Sequence, residues 1–163
     1  MFLWSLLAIV IIVFDQVAKW LVVNNIGITD SVKVIPGVID FVYVKNTGAA
    51  FSFLSDKTYG IVILTAISLV FCAVVVWYVF RNKPQNKLFL LSLALMFSGA
   101  VGNVIDRISR GYVVDFIETT FIKFPVFNVA DIAITVGAVL LVIYILFFDK
   151  NKTEGNTEEI IEG

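Results

Sequence analysis

Carboxyl and amide side chains interrupt or border long apolar stretches in this chain of 163 residues. Asp15 and Lys19 lie inside one apolar stretch, and Asn128 and Asp131 stand at the start of another. Carboxyl groups serve as general acids and bases, and two held together can share a proton and activate water. An ionisable residue inside a membrane-spanning segment is a functional candidate, because burying a charge in lipid is costly.

A second set of polar residues lies in the segment GAVGNVIDRISRGYVVDF. Asn103 and Arg107 share one helical face at spacing i, i+4, and Asp106 can reach Arg110 at the same spacing. Asp115 has no cation at helical spacing and has apolar neighbours on both sides. We therefore expect desolvation to raise the pKa of its carboxyl group.

Composition excludes several kinds of chemistry. The chain has no histidine, which rules out Ser-His-Asp and Cys-His catalysis and the H-E-x-x-H zinc site. If the chain is an enzyme, its catalytic groups must be carboxylates or a Ser–Lys pair. We expect no metal and no cofactor. The net charge of −1 gives no indication of nucleic-acid binding, and the single cysteine, Cys72, cannot form an internal disulfide.

The apolar stretches predict an all-α membrane protein. Of the residues, 60% are hydrophobic and 15% charged, and four stretches are long enough to cross a bilayer as helices. These four predicted spans cover residues 2–23, 59–80, 88–105 and 129–148. The first is not typical of a cleavable signal peptide, because it lacks a basic start and is interrupted by Asp15.

Charge in the short loops predicts the orientation. The loop RNKPQNK carries Arg81, Lys83 and Lys87 and no acid, so we expect it and both termini to be cytoplasmic. We expect residues 1–148 to form a single four-span domain and residues 149–163 to form a disordered polar tail. With this orientation, seven polar residues fall at one depth near the outer interface. They are Asp15, Lys19, Asn103, Asp106, Arg107, Asn128 and Asp131.

Two of these groups also have purely structural explanations. Asp15 and Lys19 can form an ion pair within one helix, since the acid lies four residues before the base. Asn128 can be the N-cap of the fourth span, with Asp131 at N3 as in a capping box. Either arrangement would stabilise a helix in a protein without catalysis.

The segments outside the spans are expected to form a small β-rich region lying on the outer membrane surface. Residues 38–45 are rich in β-branched and aromatic side chains, and the following KNTG, with Asn46 and Gly48, is typical of a turn. Gly111 is expected to end the third span, after which YVVDFI should be extended.

Four motifs, taken in order, resemble the lipoprotein signal peptidase (signal peptidase II) family. They are FDQVAKW in the first span, NTGAAFS after the predicted strand, GNVIDR at the end of the third span, and VVDF followed by FNVAD before the fourth. The resemblance extends from about Asp15 to Asp131.

The resemblance implies a bacterial inner-membrane aspartic endopeptidase. Its expected substrate is a prolipoprotein with a diacylglyceryl cysteine, cleaved on the N-terminal side of that cysteine. Asp115 and Asp131 would be the catalytic pair, and the resemblance, not the spacing, selects Asp115 over Asp106. The other expected site-lining or supporting residues are Asn103, Arg107, Asn128, Asn46, Gly48, Asp15 and Lys19. We expect a monomer in contact with membrane lipid.

Two other classes remain open from the residues alone. A small proton-coupled transporter would use Asp15 as its proton carrier and would need a polar path through both leaflets. A non-catalytic membrane scaffold would tolerate replacement of both Asp115 and Asp131. The acids cluster at one end of the predicted spans, which favours the peptidase.

Overall fold

The computed structural model describes residues 2–48 and 57–149, which form four long helices and one small sheet. In chain order the elements are α1 (Phe2–Asn25), β1 (Ser31–Ile35), β2 (Ile39–Asn46), α2 (Lys57–Asn82), α3 (Lys87–Arg110), β3 (Val113–Thr119), α4 (Val129–Tyr144) and a π-helical turn (Ile145–Asp149). Four helical segments are long and apolar enough to cross a membrane. The prediction of four spans with a small β-rich region is confirmed.

Helix α3 packs against each of the other three helices. Glycines make its close contact with α1 and α4 possible. A Cβ at Gly99 would collide with the carbonyl oxygen of Ala130, and one at Gly102 would lie 2.7 Å from the carboxyl of Asp15. Small residues at a membrane helix interface let backbones approach closely. The helix continues past the apolar span predicted for residues 88–105 and ends at Arg110, directly before Gly111.

The predicted helix ends beside the sheet are confirmed. Gly111 follows α3 with a left-handed backbone (φ 73°), and its N–H donates to the carbonyl of Arg107. Asn128 is the N-cap of α4, and together with Asp131 it forms a capping box. Along the chain, these two caps lie before and after β3.

The sheet has the order β1-β2-β3, and both strand pairs are antiparallel. Strand β2 lies one residue later than predicted, β3 confirms the extended segment after Gly111, and β1 was not predicted as a separate strand. The sheet packs on the end of α1 through a small apolar core. Its buried members are Val22, Tyr43, Val114 and Phe116. The predicted polar tail after Asp149 and the part of the NTGAAFS motif that follows Gly48 lie outside the described residues.

Candidate active site

Asp115 and Asp131 are joined by a single residue, Asn128. The side-chain Nδ2 of Asn128 donates to Asp115 Oδ1 at 2.6 Å, and its backbone N–H donates to Asp131 Oδ2 at 3.2 Å. Asn128 Oδ1 accepts in turn from the backbone N–H of Asp131 at 2.9 Å. The helix cap predicted from the sequence therefore also holds a second carboxyl group, from the neighbouring strand.

Two more amides complete the contacts of the carboxyl pair. Asn46, at the end of β2, donates to Asp115 Oδ2 at 2.8 Å, and Asn103, on α3, donates to Asp131 Oδ1 at 2.8 Å. All four carboxyl oxygens thus accept an N–H from a neutral group. The donors are neutral, so they orient both carboxyls without forming an ion pair with them.

The environment of Asp115 shifts its titration. Its side chain is almost fully buried on β3, and this burial raises the pKa of Asp115 from the ordinary 3.8 to about 6. The negative charge of Asp131 raises the pKa as well, whereas the hydrogen bonds from Asn46 and Asn128 lower it. The expected desolvation of Asp115 is therefore confirmed, and the two carboxyls lie close enough to interact electrostatically.

Beneath the pair lies a buried ionic cluster centred on Lys19. Its Nζ lies 2.9 Å from Asp15 Oδ2, which confirms the predicted ion pair within α1. It also lies 3.0 Å from Asp106 Oδ2. Arg110 Nη1 lies 3.7 Å from Asp106 Oδ1, which confirms the expected pair at i, i+4, although Lys19 comes closer. Spacing along one helix could not reveal that a cation from another helix comes closer.

The remaining predicted residues border the same region. Arg107 is half-buried, and its charge acts on the carboxyls of Asp131 and Asp115. Gly48 has a left-handed backbone (φ 84°), and its N–H donates to Asn46 Oδ1 at 2.8 Å, which orients the Asn46 amide toward Asp115. All the site residues predicted from the sequence therefore meet in one region.

Sequence reasoning missed some members of this region. Gln16 donates to the carboxyl of Asp15 at 3.2 Å and to the carbonyl of Gly102 at 3.1 Å, so it links α1 to α3. It lies within the FDQVAKW motif, beside Asp15, and that position was its only signal. The backbone N–H groups of Val114 and Ala130 also belong to this region, because they donate to the carboxyls of Asp106 and Asp15. The sequence could not reveal them, since the type of a residue does not show whether its backbone N–H is used.

Fold and site together define a class of protein. Four helices are long and apolar enough to cross a membrane, and a carboxyl pair held by amides, with Asp131 on α4 and Asp115 on β3, lies where the helices meet a small sheet. In the part of the chain that the structure describes, no group of three or more His, Cys, Asp or Glu is placed to hold a metal ion. The residues present supply acid–base chemistry, so the class is a multi-pass membrane protein with the groups of an aspartic hydrolase.

Comparison with known proteins identifies the family. A family model described as Signal peptidase (SPase) II matches residues 7–147. The lipoprotein signal peptidase of Lactococcus lactis subsp. lactis is 47% identical over 151 residues, which cover 92% of this chain and 98% of the relative. That of Lactobacillus johnsonii is 40% identical over 148 residues, 91% of this chain and 94% of the relative.

A solved structure agrees with this result. A bacterial membrane enzyme determined by the in meso method superimposes with a TM-score of 0.84 at 34% identity, covering 93% of this chain and 92% of that one. The chain belongs to the signal peptidase II family, a family of aspartic peptidases, and it is a multi-pass bacterial membrane protein. Membership favours the enzyme over the transporter and scaffold alternatives.

Proposed function

We propose that Asp115 and Asp131 are the catalytic pair with which this signal peptidase removes signal peptides from prolipoproteins. The expected scissile bond lies directly before a cysteine that carries a diacylglyceryl group. Family membership and the names of the relatives support the prolipoprotein as substrate. The observation that carries the assignment of the pair is their shared contact with Asn128.

The two carboxyls have different surroundings, and this suggests how they divide the chemistry. Asp115 is the more buried, and this burial raises the pKa of its carboxyl to about 6, so we assign it the neutral role of donating a hydrogen bond to the scissile carbonyl. Asp131 is partly exposed and takes a proton from the attacking water. The water oxygen bonds to the carbonyl carbon and forms a tetrahedral intermediate.

Collapse of the intermediate completes the reaction. The carbon–nitrogen bond breaks, and the proton accepted by Asp131 passes to the leaving nitrogen, so the pair returns to its starting state. Arg107 lies where its charge offsets the negative charge of the pair and of the intermediate. The amides of Asn46, Asn103 and Asn128 keep the carboxyl oxygens in place throughout.

Replacing each carboxyl by an amide tests the assignment. Asp115→Asn and Asp131→Asn preserve shape but remove the ionisable group, so each should lower cleavage by more than about a thousandfold while the protein still accumulates. Asp40→Asn, on β2 opposite Glu118, is the matched control and should cleave normally. Substantial cleavage by either active-site variant would refute the catalytic pair.

The substrate is tested separately with two precursors. Wild-type enzyme is given the same prolipoprotein with and without its diacylglyceryl group. We expect preferential cleavage of the lipidated form, because two acyl chains hold the cysteine at the membrane surface near the site. Equal cleavage of both forms would refute the lipid requirement and leave the catalytic pair untouched.

We also propose that both termini are cytoplasmic and that the site lies near the outer face. The loop between α2 and α3 carries Arg81, Lys83 and Lys87 and no acid, which is typical of a cytoplasmic loop. A single cysteine at Asn82, in a Cys72→Ala background, should resist an impermeant thiol reagent in intact cells and react after lysis. Ready labelling of intact cells would invert the orientation.

One chain suffices for the arrangement described. In the part of the chain that the structure describes, the hydrogen-bond donors to the carboxyl pair lie on β2, on α3 and at the N-cap of α4. We therefore propose that the enzyme acts as a monomer, and that residues 1–148 form its one membrane domain.

A further inference from the structure

Lys19 is completely buried, and each of its donors has a partner. Its Nζ lies 2.9 Å from Asp15 and 3.0 Å from Asp106, and it donates to Asn103 Oδ1 at 3.0 Å. An ammonium group has three N–H donors and no acceptor. Lys19 therefore links α1 to α3 through Asp106 and Asn103, and it pairs with Asp15 on its own helix.

The two carboxylates of this cluster hold the backbone directly before each proposed catalytic residue. Asp106 Oδ2 accepts from the backbone N–H of Val114 at 3.1 Å, and Val114 precedes Asp115. Asp15 Oδ1 accepts from the backbone N–H of Ala130 at 3.0 Å, and Ala130 precedes Asp131. The cluster thus binds both β3 and α4 one residue before the carboxyl that each contributes.

The third contact of Lys19 determines which way the Asn103 amide points. Because Lys19 can only donate, the atom of Asn103 that it contacts must be the acceptor Oδ1. The Nδ2 of Asn103 must then face the other way, where it donates to Asp131 Oδ1. Asn128 Nδ2 contacts the same Oδ1 at the longer distance of 3.2 Å, which is consistent with this orientation.

We propose that Lys19 is a positioning residue for the hydrolysis: it orients the Asn103 amide toward Asp131 and connects the two carboxylates that hold the backbone before Asp115 and Asp131. This role rests on the proposed catalytic pair. It differs from simple charge neutralisation, in which Lys19 would serve only to make two buried carboxylates tolerable in the fold.

Neutralising the cluster separates the two roles. Lys19→Met alone leaves two buried carboxylates without their cation, so it is expected to fold poorly. The triple variant Lys19→Met, Asp15→Asn, Asp106→Asn removes that charge problem and keeps side-chain acceptors for the backbone N–H groups of Val114 and Ala130. Arg110→Met is the matched control, since it removes a cation near Asp106 that does not contact Asn103.

The kinetic readout is the division between kcat and KM. For the triple variant we expect kcat per folded molecule to fall by about tenfold to a hundredfold with KM within about twofold, because small displacements of reacting groups are costly. Arg110→Met should retain kcat within about twofold. A folded triple variant with wild-type kcat would overturn the positioning role.

A measurement on the wild-type protein tests the amide orientation on which the proposal rests, even if the variants do not fold. In NMR spectra of the full chain in detergent, the Asn103 side-chain amide protons should show contacts to the β-protons of Asp131 and not to the Lys19 side chain. Contacts to Lys19 instead would overturn the proposal. This result does not depend on cleavage, whereas retained activity in Asp115→Asn would refute the catalytic pair and leave the amide orientation standing.

Discussion

Helices α2 and α3 are both long and apolar, yet they have opposite roles. In α3, 56% of the most apolar 18-residue window is buried inside the protein, compared with 17% in α2. Among the described helices and strands, α2 packs against α3 alone, whereas α3 also contacts α1, α4 and β3. The outward-facing side chains of α2 are large and apolar, including Trp77 and Phe80.

The difference lies in small and polar residues. Helix α3 carries Ser92, Ser98, Gly99 and Gly102 on its buried face, together with the site residue Asn103. In α2, Thr65 and Ser68 donate to carbonyls of their own helix four residues earlier. Apolar side chains gain little by leaving lipid for a protein interior, so close packing and polar contacts decide which membrane helix becomes central.

Adding bulk to the α3 interface should produce the largest effect. Gly99→Val places a side chain against the Ala130 carbonyl and 2.7 Å from Ile134, so α3 and α4 must separate. We expect the free energy of unfolding to fall by about 3 kcal/mol, and cleavage to decrease because Ala130 precedes Asp131. Equilibrium unfolding in mixed detergent measures the first effect.

The control for this substitution lies on α2. Ala66→Val adds bulk at a position that is exposed on the outside of the helix, where lipid can adjust. We expect unfolding within about 0.5 kcal/mol of wild type. Equal destabilisation by both substitutions would contradict the distinction between the two helices.

A smaller effect should appear in the titration of Asp115, where α3 and α4 meet the sheet. In the folded protein its pKa is about 6, above the ordinary value of 3.8. The protonated carboxyl therefore contributes a stabilising free energy that is fully present below about pH 3.8 and is lost as the pH rises through about 6. Carboxyl NMR titration should therefore give a midpoint near 6. An unshifted midpoint would contradict the burial of this carboxyl.

Two variants should move that midpoint in opposite directions. Asp131→Asn removes a neighbouring negative charge and should lower the pKa of Asp115. Asn46→Ala removes a hydrogen bond to the ionised form and should raise it. If Asp131→Asn left the titration unchanged, the two carboxyls would not interact as proposed.

The smallest effect is expected from the hydroxyl groups of α2. Ser68→Ala removes a bond from the side chain to Leu64 of the same helix and none to a neighbouring helix. We expect less than about 0.5 kcal/mol change in the free energy of unfolding and unchanged cleavage. A loss above 1 kcal/mol would show that this face of α2 makes a polar contact with another part of the protein.

The features that were predicted correctly from the sequence depend on interactions between residues that are close in the chain. Hydropathy located the four spans, helix spacing paired Asp15 with Lys19, and capping preferences placed Asn128 at a helix start. Each of these depends on residues close in the chain. The choice of Asp115 as a catalytic candidate came from family motifs, since its partner Asn46 lies 69 residues away.

Contacts between different helices could not be predicted from patterns within one segment of the sequence. Asp106 had a suitable cation at i, i+4, so the sequence favoured Arg110, and only the packing of α1 on α3 brings Lys19 closer. Backbone donors such as the N–H of Val114 are equally hidden, because every residue except proline has one. Strand β1 was missed because its side chains are all exposed, with no buried face to recognise.

The ion pair within α1 has a consequence for the way the protein is made. Asp15 and Lys19 lie on the same helix, one turn apart, so they can neutralise each other as soon as that helix forms. During synthesis α1 can therefore enter the lipid as a nearly neutral segment, before α3 and α4 leave the ribosome. Asp106 is synthesised later and can pair with Lys19 of α1, which is already in the membrane. The first helix thus supplies the cation that allows the third helix to bury its carboxylate.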